Sequence, residues 1–144
     1  MNDDLSVEAW CEDQRQVVID YLSHEGLKSP RVGDWPEWHF APLAAVWAVE
    51  SKSRPGLIGW WALSGDLPTD YAPCQGEGTP RQGLRDIATK WDEAAKLWAR
   101  GQQHDDMSLG SRQQEREIAP MLAARAEALL EWVADDSLWE EDPS

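Results

Sequence analysis

Two carboxylates, Asp66 and Asp70, stand four residues apart in the segment Gly65-Asp66-Leu67-Pro68-Thr69-Asp70-Tyr71. With Thr69 between them and Tyr71 after them, they could share a proton, bind a cation or hold a sugar. General acid–base work at such a pair needs both groups in one pocket with shifted pKa values. A simpler reading gives both acids to the backbone. Asp66 can close an Asx-turn ahead of Pro68, and Asp70 can cap a local turn. That reading carries more weight, because Asp serves turns so often. His39 follows Trp38 on an aromatic loop and could face either acid as a general base. A lone histidine is more often a hydrogen-bonded structural residue. No Ser or Cys lies in a nucleophile-elbow pattern, and no phosphate loop is present. Gly76-Glu77-Gly78 is too short for a dinucleotide fingerprint. No catalytic residue is assigned, and the balance leans away from an enzyme.

Ten tryptophans stand against two tyrosines and one phenylalanine. Each buries a large apolar area and wants a partner for its indole N–H, so many belong to the core. Trp60 and Trp61 are neighbours, and neighbours on a strand point to opposite faces. An exposed tryptophan there, beside Trp35 or Trp38, would anchor an interface. A sheet covered on both sides would bury both. Arg81 opens a predicted helix, where the dipole favours anions over cations. It is expected to pair with Asp66, Asp70 or Glu77, or else to anchor a ligand. Trp35, Trp38, His39, Trp60, Asp66, Asp70, Tyr71 and Arg81 therefore form the candidate partner- or ligand-binding set.

Charge narrows the partner. The 144 residues carry 27 acids and 13 bases, a net charge of −14. Residues 1–25 hold seven acids and one base, and residues 81–144 hold fourteen acids and eight bases. The middle is nearly neutral. Such a surface repels nucleic-acid phosphates and anionic lipid and would speed encounter with a basic protein, although the plainer and weightier reading is that net charge simply keeps the protein soluble. No apolar run approaches the roughly 18 residues of a membrane span. The acidic start, Met1-Asn2-Asp3-Asp4, is unlike a signal peptide. A cytoplasmic protein is expected. Cys11 and Cys74 lack C-x-x-C spacing and read as free thiols. His24, His39 and His104 are scattered, so neither a metal nor another cofactor is expected.

The elements that must position these residues read as one domain. A helix over 7–25 is capped by Ser6, stapled by Leu5 and Trp10, and ended by Gly26. Its apolar stripe is Trp10, Val17, Val18, Tyr21 and Leu22. Residues 27–42 read as an ordered aromatic loop. The apolar run 43–51 reads as a strand, with a helix over 41–51 as the alternative. Arg54-Pro55-Gly56-Leu57 fits a type II turn, and the next run, Leu57 to Leu63, completes a hairpin. Residues 64–79 read as a second loop. A second helix spans about 80–100, with Thr79 and Gln82 at capping-box spacing, Pro80 in the first turn and Gly101 at the end. Leu84, Ile87, Ala88, Trp91, Ala95 and Trp98 line one face. A third helix starts near Ser111, with Gln114 at box spacing and Ile118, Leu122, Leu129, Leu130 and Val133 apolar. Pro120 either kinks or restarts it. A short acidic tail follows at about 135–144. The fold class is α+β: three main helices on a small antiparallel hairpin or sheet, moving towards mostly α if 41–51 is helical.

Trp35-Pro36-Glu37-Trp38-His39, Gly59-Trp60-Trp61, the Gly65-to-Tyr71 stretch and Pro80-Arg81 together resemble a family of short bacterial proteins catalogued as a domain of unknown function. The resemblance runs from Trp10-Cys11-Glu12 to Leu138-Trp139-Glu140. It implies kinship of fold and bacterial origin, and no activity. The Gly-Asp-x-Pro-Thr-Asp segment also looks like those of small toxin-immunity proteins, a likeness over few residues. The leading expectation is a non-enzymatic acidic interaction protein that neutralises or escorts a basic partner, with an immunity or inhibitor role its most concrete form. The alternative is a small enzyme or ligand binder with a pocket around His39, Asp66 and Asp70. Oligomeric state is left open.

Overall fold

The computed structural model describes residues 3–139. It contains three α-helices and a four-stranded antiparallel sheet, the expected α+β architecture. The chain divides into two compact units, one up to Leu84 and one from Arg85 onward, and the boundary falls inside the second helix.

The first unit opens with α1, Asp3–His24. The helix starts four residues earlier than expected, so Ser6 lies inside it and is no N-cap. The staple to Trp10 rests on Leu5, whose side chain lies outside the described residues. The end is as expected. Gly26 has φ +103°, a left-handed conformation suited to glycine. Leu27 N–H donates to Leu22 O at 2.9 Å and Gly26 N–H to Ser23 O at 3.1 Å, the bond pair of a Schellman cap. Cys11, Val18 and Leu22 are the fully buried positions of α1, whereas Val17 is 41% exposed. Val17 is one residue, about 100° of helix, away from the buried Val18, and its stripe assignment was wrong.

The sheet has the order β1-β2-β3-β4, with β1 Trp38–Phe40, β2 Ala44–Glu50, β3 Ile58–Gly65 and β4 Asp70–Pro73. The apolar run at 43–51 is thus a strand. The expected hairpin turn is present: Leu57 N–H donates to Arg54 O at 3.1 Å, and Gly56 has φ +91°. Both expected loops need correction. The 27–42 segment holds β1 and a bridge from Val32 to Val49. The 64–79 segment holds the last two residues of β3 and all of β4. These strands are three and four residues long, too short to show a period among so many prolines, and Pro73 is tolerated because β4 is an edge.

Cross-strand partners share a face of the sheet. Trp47 opposes Ala62 and Val49 opposes Trp60, and these four form one cluster with Cys11, Val18 and Leu22 of α1. On the other face Ala44, Val46, Trp61 and Leu63 are also fully buried. Burial on both faces explains why β2 and β3 read as continuous apolar runs rather than alternating ones. Arg15 of α1 ties the entering loop down, donating to Gly33 O and Val32 O at 2.9 Å each.

The second helix, α2, runs Pro80–Ala99, and Thr79 Oγ1 accepts the Gln82 N–H at 3.1 Å. The second unit takes the rest of it, then α3, Arg112–Ala134, and a 3₁₀ turn, Asp136–Leu138. Gly101 and Gln102 close α2 with the same two-bond cap as α1. Ile87, Ala88, Trp91, Ala95 and Trp98 are all buried. Ser111 and Gln114 make the full capping box of α3, which continues through Pro120 as one helix. Its buried face is Glu115, Ala119, Leu122, Ala126, Leu129 and Val133, with Ile118 and Leu130 flanking it. Trp139 donates its indole N–H to Trp132 O at 2.8 Å, so the first part of the acidic tail is folded back on α3. Residues 140–144 of that tail lie outside the described residues. Among the described residues no helix is long and apolar enough to cross a membrane.

Candidate functional site

The sheet order separates the proposed acid–base set. His39 sits on β1, in register with Ala45, and Asp70 sits on β4, in register with Leu63. Two strands lie between them, so three inter-strand steps put them roughly 14 Å apart. Asp66 is exposed in the β3–β4 turn, where its backbone N–H donates to Leu43 O at 3.0 Å. Asp70 is 6% exposed, and its Oδ1 accepts the Tyr71 N–H at 2.8 Å. It also accepts the Tyr21 hydroxyl. A buried carboxylate must be satisfied by donors, and these are two of them. The Asp70 carboxylate thus joins the end of α1 to the edge of the sheet.

His39 keeps different company. Its ring lies edge-on to Trp35, with centroids 5.8 Å apart, and its Nδ1 is buried without a hydrogen-bond partner. Trp35 is 45% exposed, and Phe40 and Leu43 at the adjoining turn are exposed too. Trp38 is half-buried opposite Val46, and Arg81 is half-buried at the start of α2. The β1 and β4 groups therefore lie apart, with Trp35, Trp38 and His39 at the β1 edge and Trp60, Asp70 and Tyr71 toward the β4 edge; Asp66 lies in the β3–β4 turn, and Arg81 opens α2.

The β4 edge holds the more defined chemistry. Trp61 is 1% exposed, while Trp60 packs partly on the α1 cluster and partly faces a cleft. Leu22, Glu25, Gly26, Leu27, Trp60 and Tyr71 enclose that cleft of about 200 Å³. The Tyr21 and Tyr71 rings meet edge-to-face at 6.0 Å. Burial pushes the Tyr21 hydroxyl pKa far above its ordinary 10.0, and the charges of Asp70 and Glu25 push it further. Burial raises Tyr71 as well, with Glu25 and Asp70 again adding to it. Both tyrosines thus stay neutral hydrogen-bonding groups under ordinary conditions. Neither Tyr21 nor Glu25 was singled out from the sequence as a site residue. The available signal was their spacing of four on one face of a helix that ends at Gly26.

The second unit has a wider cleft of about 490 Å³, lined among others by Glu93, Lys96, Arg100 and His104. His104 Nδ1 accepts the Asp106 N–H at 3.0 Å, and its Nε2 lies 3.8 Å from Glu93. Lys96 is already paired with Asp92 at 2.9 Å. Its charges are mixed and partly satisfied by one another, so size alone does not make it the better site. Cys11 and Cys74 are free thiols, Cys11 buried. Among the described residues no group of three His, Cys, Asp or Glu is arranged to hold a metal ion.

The family model described as a domain of unknown function, DUF4826, matches residues 5–139. The chain belongs to this family, and the kinship expected from the Trp35–His39 and Gly65–Tyr71 motifs holds. No curated protein and no solved structure matches it. The likeness to toxin-immunity proteins gains nothing from these comparisons.

Proposed function

We propose that this family member is a non-enzymatic interaction protein that binds a basic protein partner. The observation that carries the reading is the excess of fourteen negative charges. Opposite charge steers encounter, and aromatic side chains then supply contact area. The exposed Trp35 offers such an anchor. An immunity or inhibitor role is the most concrete form, in which binding masks the partner's basic active surface. The enzyme or ligand-binder alternative has less support, since β2 and β3 lie between His39 and Asp70.

The test begins with the tagged chain in its native host, captured at low and at high salt. A stoichiometric basic protein lost at high salt is expected. That protein, purified alone, should bind the chain one to one, with an association rate that falls steeply as salt rises. Association that is indifferent to salt would remove the reading.

A further inference from the structure

We propose that the cleft at the C-terminal end of α1 is a receptor for a single arginine side chain presented by a partner protein, which rests on the reading above. Three features converge there. Glu25 is exposed at the rim and makes no ion pair among the described residues. Leu22 lies in the last turn of the 22-residue α1, and Glu25, Gly26 and Leu27 follow directly as its cap, at the end where the dipole favours cations. Trp60 and Tyr71 supply aromatic walls, and aromatic rings attract cations.

Size and charge select the occupant. About 200 Å³ is below the roughly 300 Å³ at which pockets for drug-sized ligands begin, so it suits one side-chain head. An anion would meet Glu25, the helix end and the nearby Asp70 together. A guanidinium fits better than an ammonium. It is planar, stacks on aromatic rings, sheds water more readily and can donate two parallel bonds to one carboxylate.

The test uses the full chain and N-acetylarginine amide as probe, followed through the indole resonance of Trp60 and the ring resonances of Tyr71. Saturable shifts are expected, with the citrulline analogue, which has the same shape but no charge, at least about tenfold weaker. Glu25→Gln should weaken the arginine probe about tenfold. Glu12→Gln removes the same charge from an exposed site roughly 20 Å along α1 and should change it less than twofold. Equal affinity for the citrulline analogue, or equal effects of the two substitutions, would overturn the proposal. A basic partner that binds one to one while the probe shifts nothing would also overturn it, leaving the proposed function standing. Probe binding as expected, with no basic partner that binds, would uphold the cleft and remove the proposed function.

Discussion

A Cβ atom at position 83 would lie 2.5 Å from both Cβ and Cγ of Trp61, so the first turn of α2 touches the indole with its backbone. Real Cβ atoms do not come that close, and the indole cannot retreat, being 1% exposed. Gly83→Ala should destabilise the chain by about 1–3 kcal/mol, the usual cost of overpacking. That is opposite in sign to the gain alanine normally brings to a helix interior. Denaturant midpoints of the two proteins would decide it. A variant as stable as the parent would show that the helix start sits less tightly on the sheet.

Trp47 and Ser64 are both fully buried, and the Trp47 indole N–H donates to Ser64 Oγ at 3.1 Å. Ser64→Ala removes one oxygen and leaves the donor unsatisfied in a closed core. The expected cost is about 1–3 kcal/mol, more than the hydrogen bond alone would suggest. Chemical denaturation followed by far-ultraviolet circular dichroism measures it. A cost below about 0.5 kcal/mol would mean that the indole finds another acceptor.

How much of this was legible follows from what each signal depends on. The ends of α2 and the start of α3 were readable because Thr79, Gly101 and Ser111 act on their own neighbours. The hairpin turn was readable because Pro55 and Gly56 fix local dihedrals. β1 and β4 were missed because short edge strands are held by partners distant in sequence. Trp38 pairs with Val46, and Tyr71 with Ala62. The site depended on the same non-local facts. No spacing rule told that His39 and Asp70 take opposite edges of the sheet, or that Glu25 would share a cleft with Trp60.

Alkaline pH should unfold the protein through Tyr21, Tyr71 and Cys11. Burial raises all three in the folded chain above ordinary values of 10.0, 10.0 and 9.0. The folded state then holds its protons longer than the unfolded state does. Stability from these groups is fully present below about pH 9 and is lost as pH rises, by up to about 1.4 kcal/mol per pH unit for each group. Tyr21→Phe should make the alkaline loss shallower. It should also cost stability near neutrality, because Asp70 loses the hydroxyl it accepts. Denaturation curves at rising pH test both signs. An alkaline slope unchanged in the variant would contradict the assignment to Tyr21.

Trp35 separates folding from binding. A little over half covered, it contributes part of its large apolar surface to the fold, and its edge-on contact with His39 adds about 0.5–1.5 kcal/mol to that burial. Trp35→Ser should therefore cost no more than about 3 kcal/mol, below the cost of removing a fully buried tryptophan. An aromatic anchor in an interface costs about 2 kcal/mol or more when truncated, which is over tenfold in affinity. The substitution should thus leave the fold intact and weaken binding to the basic partner at least tenfold, chiefly through faster dissociation. Calorimetry on the purified pair gives the affinity, and thermal unfolding of the variant alone gives the stability. Unchanged affinity would take Trp35 out of the interface, and a stability loss well above about 3 kcal/mol would make it a structural residue instead.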